Sequence, residues 1–365
     1  MRTFVFTCLL LLGMTTFAQD ANFHIYLCLG QSNMEGNAKV EEQDTVAVDS
    51  RFQVLAAVDC PNLGRTKGNW YKAVPPLARC YTGLTPGDYF GRAMVANLPS
   101  NVRVGIINVA VGGCKIELFD KDNYQSYVET SPDWLKNMVK EYGGNPYARL
   151  VEMAKIAQKD GVIKGILLHQ GESNTNDKDW PSKVKGVYDN LLKDLGLSAA
   201  DVPLLAGEVV HADQNGICAS MNTIIDSLPQ VIPTAHVISS ADCPAAFDNL
   251  HFTAEGYRML GARYAAKMLS ILGYGDWTSA QNMKLWYARP AQDWLEALPL
   301  AIPVWALWYL AELPVKNCNS MKRLSGPADL TIIIIPKDCR CYLKYAVLFL
   351  KAKLWMHRNS LMKII

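Results

Sequence analysis

Short apolar runs alternate with segments of helical periodicity through most of this chain, and this alternation limits the possible folds more than any other feature. The runs are rich in aliphatic and β-branched side chains, which is typical of buried strands. Because helices long enough for crossover connections lie between them, the strands are expected to be parallel. The five predicted strands are Ile25–Leu29, Val102–Val111, Val162–Leu168, Pro203–Val210 and His236–Ser240.

The sequence therefore predicts an α/β fold, a three-layer α/β/α sandwich around a central parallel sheet of about five strands. Residues 38–85 show no sustained period and contain several prolines and glycines, so we expect an irregular insertion over the strand ends. Its aromatic residues either face a substrate or pack the insertion against the body: Trp70, Tyr71 and Tyr81. A polar, aromatic loop is expected up to Gly144. The predicted helices are Gly87–Ala96, one opened by Asn145-Pro146, Lys183–Leu195, Ile217–Ser227 and one beginning near Thr253.

Candidate catalytic residues follow four of the predicted strands. Ser32 comes just after the first strand, the pair Gly112-Gly113 after the second, and the block from Gln170 to Asn174 after the third. A fourth group, Asp248 to His251, follows the last strand. Open α/β sheets bind ligands at the carboxyl ends of their strands, so these groups are expected to lie at one edge.

Acyl transfer needs a nucleophile, a base, a group that orients the base, and donors for an oxyanion. Asp248 and His251 are three residues apart and can hydrogen-bond within one turn, which would leave the second imidazole nitrogen free to face Ser32. Each residue also has a simpler explanation. Ser32 and Gly112-Gly113 could form ordinary turns, Asp248 could cap a turn, and His251 could be a hydrogen-bonded loop histidine.

Charge and cysteine spacing narrow the function classes. Residues 301–365 carry ten Lys/Arg and three Asp/Glu, so the first 300 residues carry 26 against 31. The main body is mildly acidic, which gives no support for nucleic-acid binding. No Cys-x-x-Cys pair occurs in the body, so no metal site is expected. The flanks of the insertion predict a disulfide between Cys60 and Cys80, whereas Cys28 is expected to be a buried small hydrophobe.

The N-terminus has the pattern of a secretory signal peptide. Arg2 precedes an apolar run from Phe4 to Met14, and a small-residue site ends at Ala18. The run is too short for a membrane span. We expect export, with cleavage after Ala18, to the periplasm or the exterior.

Four separated motifs resemble the ordered blocks of the SGNH hydrolase superfamily, whose fold is flavodoxin-like. They are similar to the branch that contains acetyl xylan esterases of carbohydrate esterase family six and sialate O-acetylesterases. The motifs are Gly30-Gln31-Ser32-Asn33-Met34-Glu35-Gly36, Ala110-Val111-Gly112-Gly113, His169-Gln170-Gly171-Glu172-Ser173-Asn174 and Asp248-Asn249-Leu250-His251-Phe252.

This resemblance implies that Ser32 is the nucleophile, His251 the base and Asp248 its partner. It also implies an oxyanion hole from the backbone N–H of Ser32, that of Gly112 or Gly113, and a side-chain amide. The third block departs from the Gly-x-Asn-Asp of the broad superfamily, so the amide is assigned to Gln170, with Asn174 in reserve. Glu172 either positions His251, with or without Asp248, or braces the loop.

The segment Met283–Leu300 resembles the opening of an α-L-fucosidase family, glycoside hydrolase family ninety-five. The similarity stops after Leu300. Moving the reading frame back by one nucleotide allows codons that read Gly-Asn-x-x-Leu-Gly-Ala-Met-Val-Phe-Gly-Gly, close to the text of that family. We therefore expect residues 1–18 to be a signal peptide, 19–275 an esterase domain, 276–300 a linker with a truncated fucosidase-like start, and 301–365 an out-of-frame tail without a packed core.

The resulting hypothesis is a secreted serine esterase that hydrolyses O-acetyl esters on a polysaccharide or oligosaccharide, with no cofactor. One alternative is a related hydrolase of lipid or other short-chain esters, against which the polar, loop-rich insertion argues mildly. Another is a catalytically silent carbohydrate-binding module that uses Trp70 and Tyr71.

Overall fold

The computed structural model describes residues 19–274 and, beyond them, only the backbone of four short strands between residues 298 and 334. The chain divides into two units, residues 1–284 and 285–365. The predicted signal peptide lies outside the described residues, as does most of the predicted linker and tail. The four later strands form two antiparallel pairs, Leu298–Ile302 with Trp305–Tyr309 and Lys322–Ser325 with Thr331–Ile334.

A seven-stranded, mostly parallel sheet organises the first unit. The strands are β1 (Asp20–Gly30), β2 (Phe52–Leu55), β3 (Trp70–Lys72), β4 (Arg103–Ala110), β5 (Gly161–His169), β6 (Leu204–Gly207) and β7 (Ala235–Ile238). Their order in the sheet is β3-β2-β4-β1-β5-β6-β7, and only the pairing of β3 with β2 is antiparallel. The α/β fold with a parallel sheet is thereby confirmed.

Helices cover both faces of the sheet. They are α1 (Ser32–Glu35), α2 (Glu42–Thr45), α3 (Pro86–Asn97), α4 (Tyr124–Thr130), α5 (Asp133–Glu141), α6 (Pro146–Ala157), α7 (Trp180–Leu195), α8 (Asn222–Ile225), α9 (Leu228–Val231) and α10 (Ala254–Ile271). In β1, Ile25 and Leu27 join the core beneath α6 and α7, whereas Tyr26 and Cys28 join the core beneath α3 and α10. This alternation follows from the two-residue period of a strand and produces three layers.

Three sequence expectations need correction. The prediction of about five strands is too low, because the insertion at residues 38–85 contributes β2 and β3. These strands have four and three residues and lie in a stretch that prolines and glycines interrupt, so they show no period. The expected loop before Gly144 contains α4 and α5. Helix α5 buries Leu135 and Val139, which lie four residues apart on one face, a helical spacing that the sequence interpretation overlooked.

The predicted helix Ile217–Ser227 is also interrupted. A 3₁₀ turn, Ala219–Met221, leads into the four-residue helix α8. The predicted disulfide between Cys60 and Cys80 is confirmed, as is the burial of Cys28. In the part of the chain that the structure describes, every helix is too short or too polar to cross a membrane.

Candidate active site

The site lies where the strand order reverses. β1 lies between β4 and β5. The strands before β5 in the chain lie on one side of β1 and the later ones on the other, so a crevice forms at the carboxyl end of β1. Gly30 ends β1 with φ of 149°, and a β-carbon there would lie 2.0 Å from the carbonyl oxygen of His169. Only glycine fits this turn. It places Ser32 at the start of α1, on the carboxyl edge.

Ser32, His251 and Asp248 form a continuous hydrogen-bonded chain. Nε2 of His251 lies 2.8 Å from Oγ of Ser32, and Nδ1 lies 2.6 Å from Oδ2 of Asp248. Oδ1 of Asp248 accepts from the backbone N–H groups of Leu250 and His251, both at 3.0 Å. The carboxylate therefore fixes the loop and the imidazole together. With the imidazole proton on Nδ1, Nε2 is free to accept the serine proton.

The environment of Asp248 keeps it ionised. Burial raises the pKa of its carboxyl group, but the hydrogen bonds from the His251 side chain and from the two backbone N–H groups outweigh this effect. The net pKa lies below the ordinary value of an aspartate. A carboxylate in this position stabilises an imidazolium that forms on His251.

The two adjacent glycines after β4 have different surroundings. The backbone of Gly112 lies beside the carboxylate of Glu35, and its N–H group helps to lower the pKa of that carboxyl. A β-carbon on Gly112 would lie 2.9 Å from Oε2 of Glu35 and 3.8 Å from Cβ of Ser32. Among the described residues, the backbone N–H groups of Gly113 and Ser32 donate no hydrogen bond. These two groups are therefore available for an oxyanion.

The side-chain amides of Gln170 and Asn174 are tied into a buried network. Nε2 of Gln170 donates to Oε1 of Gln31 at 3.1 Å and to Oδ1 of Asn174 at 2.7 Å. Nδ2 of Asn174 donates to the carboxylates of Glu117 and Asp177. Oε1 of Gln31 also accepts from the backbone N–H of Ser173. The network fixes the loop after β5 against the residue that precedes Ser32.

Glu172 does not reach His251. Its Oε1 accepts from Nδ2 of Asn33 and lies 3.6 Å from Nε2 of His169. Nδ2 of Asn33 also donates to the carbonyl of Leu250, and Oδ1 accepts from the backbone N–H of Phe252. Asn33 therefore holds the residues on both sides of His251, and Glu172 anchors Asn33. Of the two carboxylates considered from the sequence, Asp248 is the one that touches the imidazole.

Arg79 is a residue of the site that the sequence interpretation missed. Its guanidinium contacts Glu35 at 2.6 Å and Glu141 at 2.5 Å, so it joins α1 to α5. Burial raises the pKa of Glu35, and the charge of Arg79 opposes this effect only in part. A single arginine in an irregular loop gives no pattern, and only its position next to Cys80 could have drawn attention to it.

The insertion aromatics do not form a common surface. Trp70 packs on Phe23 with ring centroids 4.8 Å apart, and its Nε1 donates to Asp160. Phe23 lies toward the amino end of β1, so Trp70 is at the end of the sheet opposite to Ser32. The hydroxyl of Tyr71 accepts from the backbone N–H of Thr66. Only Tyr81 is largely exposed.

A serine, an imidazole and a carboxylate in series at the carboxyl edge of a parallel sheet are the arrangement of α/β esterases. Comparison with known proteins agrees with this class. The chain belongs to the carbohydrate esterase family of sialic acid-specific acetylesterases, whose family model matches residues 22–270. The protein is therefore an esterase of the carbohydrate acetylesterase type.

Individual relatives are distant. The chain is 25% identical over 262 residues to "Probable carbohydrate esterase At4g34215" of Arabidopsis thaliana. The aligned region covers 67% of this chain and 90% of that protein. The crystal structure of the Arabidopsis thaliana protein AT4G34215 is similar over 69% of this chain and 99% of that chain, with a TM-score of 0.53 and 22% identity. That of NanS is similar over 70% of this chain and 99% of that chain, with a TM-score of 0.50 and 14% identity. These structural similarities support the fold.

Proposed function

We propose that this protein is a secreted serine esterase that removes O-acetyl groups from carbohydrate, with Ser32 as nucleophile, His251 as general base and Asp248 as the group that orients it. The observation that supports this most is the unbroken series of contacts at 2.8 and 2.6 Å. Family membership supports an acetylated carbohydrate as substrate.

The first half of the reaction forms an acetyl-enzyme. Oγ of Ser32 attacks the ester carbonyl carbon while Nε2 of His251 takes the hydroxyl proton. The carbonyl oxygen becomes an oxyanion, which the backbone N–H groups of Ser32 and Gly113 stabilise. When the tetrahedral intermediate collapses, the bond to the sugar oxygen breaks, and the imidazolium returns its proton to that oxygen.

The second half releases acetate. Water takes the place of the sugar, His251 accepts a proton from it, and the resulting hydroxide attacks the acetyl carbon. The bond to Oγ of Ser32 then breaks, and Oγ recovers the proton. In this scheme Gln170 and Asn174 support the oxyanion loop through the buried network, because their amide nitrogens already donate to protein acceptors.

The test compares acetate release from acetylated xylan and from O-acetylated sialic acid, with labelling by a serine-directed phosphonate. We expect release from at least one substrate and a single label on Ser32. Labelling of another residue, or release from neither substrate, would contradict the proposal.

The proposal also includes export with cleavage of a signal peptide and an out-of-frame origin of the C-terminal region. Cleavage after Ala18 is checked by sequencing the N-terminus of the exported protein, and an intact Met1 would contradict it. An out-of-frame origin for residues 301–365 is checked in the gene. If no shift of one nucleotide near codon 301 opens a long fucosidase-like frame, that origin is wrong.

A further inference from the structure

Trp134 is a large aromatic residue beside the candidate site that remains half exposed. The residue is 51% exposed, whereas most large aromatic residues between positions 19 and 274 are at least partly buried. Among the described residues, its indole makes no ring contact, and its Nε1 has no acceptor. An indole left open in this way retains both an apolar face and a free hydrogen-bond donor.

The position of Trp134 connects it to Ser32. A β-carbon on Gly113 would lie 2.7 Å from Cη2 and 3.2 Å from Cζ3 of Trp134, so the six-membered ring packs directly on this glycine. Gly113 also has φ of 69°, and its carbonyl accepts from Oγ of Ser173. Since the neighbouring Gly112 approaches the side chain of Ser32, the exposed indole lies on the wall of the site.

Helix α5 holds the indole in place. Leu135 and Val139 bury one side of this helix, and Trp134 leaves its first turn on another side. Glu141, seven residues later, lies on the same side as Trp134 and binds Arg79. Arg79 in turn binds Glu35 of α1. The helix that carries the indole and the helix that carries Ser32 are therefore joined through one guanidinium.

We propose that the indole of Trp134 is the stacking platform for the pyranose ring that carries the acetyl ester. A pyranose presents a face of C–H groups flanked by hydroxyls, which matches an apolar ring with one N–H donor at its edge. Stacking there brings the ester carbonyl of the same sugar to Ser32 and to the N–H of Gly113. This inference rests on the proposed function and specifies the ligand contact that separates sugar esters from simple ones.

The experiment measures kcat/KM for three substrates: triacetin, which is acyclic, an acetylated methyl xyloside, and O-acetylated sialic acid. We compare the wild type with Trp134→Leu, which keeps apolar bulk, and with Trp134→Phe, which keeps a flat ring. Trp134→Leu is expected to lower kcat/KM for the sugar ester about tenfold more than it lowers kcat/KM for triacetin, mainly through KM. Trp134→Phe should retain most of the sugar-ester activity.

An equal loss on triacetin and on the sugar esters would overturn the proposal, because the indole would then only support the loop of Gly113. Unchanged kinetics in Trp134→Leu would overturn it as well. Failure of the proposed function is distinguished by a second measurement. The acetylated methyl xyloside and the O-acetylated sialic acid are titrated into Ser32→Ala and into the double variant Ser32→Ala/Trp134→Leu. Binding to both proteins is measured by calorimetry, and binding to Ser32→Ala also by tryptophan fluorescence.

Calorimetric binding to Ser32→Ala that weakens about tenfold in the double variant supports the stacking platform even where no substrate is turned over. No binding to Ser32→Ala, or binding unaffected by the second substitution, contradicts it. Circular dichroism and thermal unfolding confirm that each variant is folded before its data are interpreted.

Discussion

Asn33 donates a hydrogen bond from its side-chain amide to Oε1 of Glu172, 139 residues later in the chain, and both side chains are buried. This contact attaches the short helix of Ser32 to the loop after β5. Through Leu250 and Phe252, the same amide also holds the backbone around His251. The two carboxylates therefore have different roles. Asp248 contacts the imidazole of His251, and Glu172 anchors Asn33, which positions the loop of His251.

Replacing each carboxylate by its amide separates these roles. Asp248→Asn should lower kcat/KM about a thousandfold or more, because an amide cannot hold the imidazole in the correct tautomer or stabilise its charged form. Glu172→Gln should lower it by less than about tenfold, since Oε1 of a glutamine can still accept from Asn33. The measurement is steady-state hydrolysis of triacetin. An equal loss in both variants would show that Glu172 orients His251 as well.

Asn33→Ala should weaken both catalysis and folding. It removes the contacts to Leu250 and Phe252 and leaves the buried hydroxyl of Tyr257, which donates to Oδ1 of Asn33 at 2.6 Å, without its acceptor. We expect the free energy of unfolding to fall by about 1–3 kcal/mol and kcat to fall more than KM changes. Asn137→Ala on the exposed side of α5 is the control, expected within about 0.5 kcal/mol of wild type. Equal behaviour of the two variants would refute the role of Asn33.

Arg79→Gln tests the link between α1 and α5. The substitution leaves Glu35 buried without its cation beside the N–H of Gly112, so both stability and the oxyanion loop should suffer. We expect a loss of about 3 kcal/mol in the free energy of unfolding and a fall in kcat. Arg79→Lys keeps the charge but loses the contact with both carboxylates, so its free energy of unfolding should lie between those of wild type and Arg79→Gln. Urea denaturation measures these values, and an Arg79→Gln variant as stable as wild type would contradict the interpretation.

The pH dependence of stability is predicted from Asp88 at the start of α3. Burial raises its pKa to about 8, although a backbone hydrogen bond from Thr85 opposes the shift. A carboxyl whose folded-state pKa lies above its unfolded value of 3.8 contributes stability below that pH, and this contribution is lost as the pH rises toward 8. Asp88→Asn cannot titrate and should keep the acceptor for Thr85.

The variant and the wild type should therefore have similar stability near pH 4, and the variant should be increasingly the more stable one up to about pH 8. Denaturation midpoints across this range provide the measurement. A constant difference between the two proteins at every pH would contradict the assignment.

The repeating alternation of apolar runs and helices was sufficient to predict the parallel sheet and the edge at which Ser32, Gly112 and His251 meet. Each of these residues follows an apolar run that the sequence analysis identified as a strand. β2 and β3 were missed because their side chains are chosen by contact with β4 and with one another rather than by a local period.

Contacts between distant residues were equally inaccessible. No local feature of the sequence pairs Arg79 with Glu35 or Trp134 with Gly113, because these partners are remote along the chain. Trp70 and Tyr71 drew attention only because they are aromatic. Burial against Phe23 and a bond to Asp160 decide the location of Trp70, and neither contact can be inferred before the sheet is assembled.

The central claim is that Ser32 carries the acetyl group during turnover. Its most direct test is rapid quenching of the protein in acid during hydrolysis of an acetylated sugar, followed by peptide mass spectrometry. We expect one added acetyl group on the peptide that contains Ser32, present during turnover, lost when the substrate is exhausted, and never formed by Ser32→Ala, which should also release no acetate. Acetate release by Ser32→Ala at the wild-type rate would contradict the account.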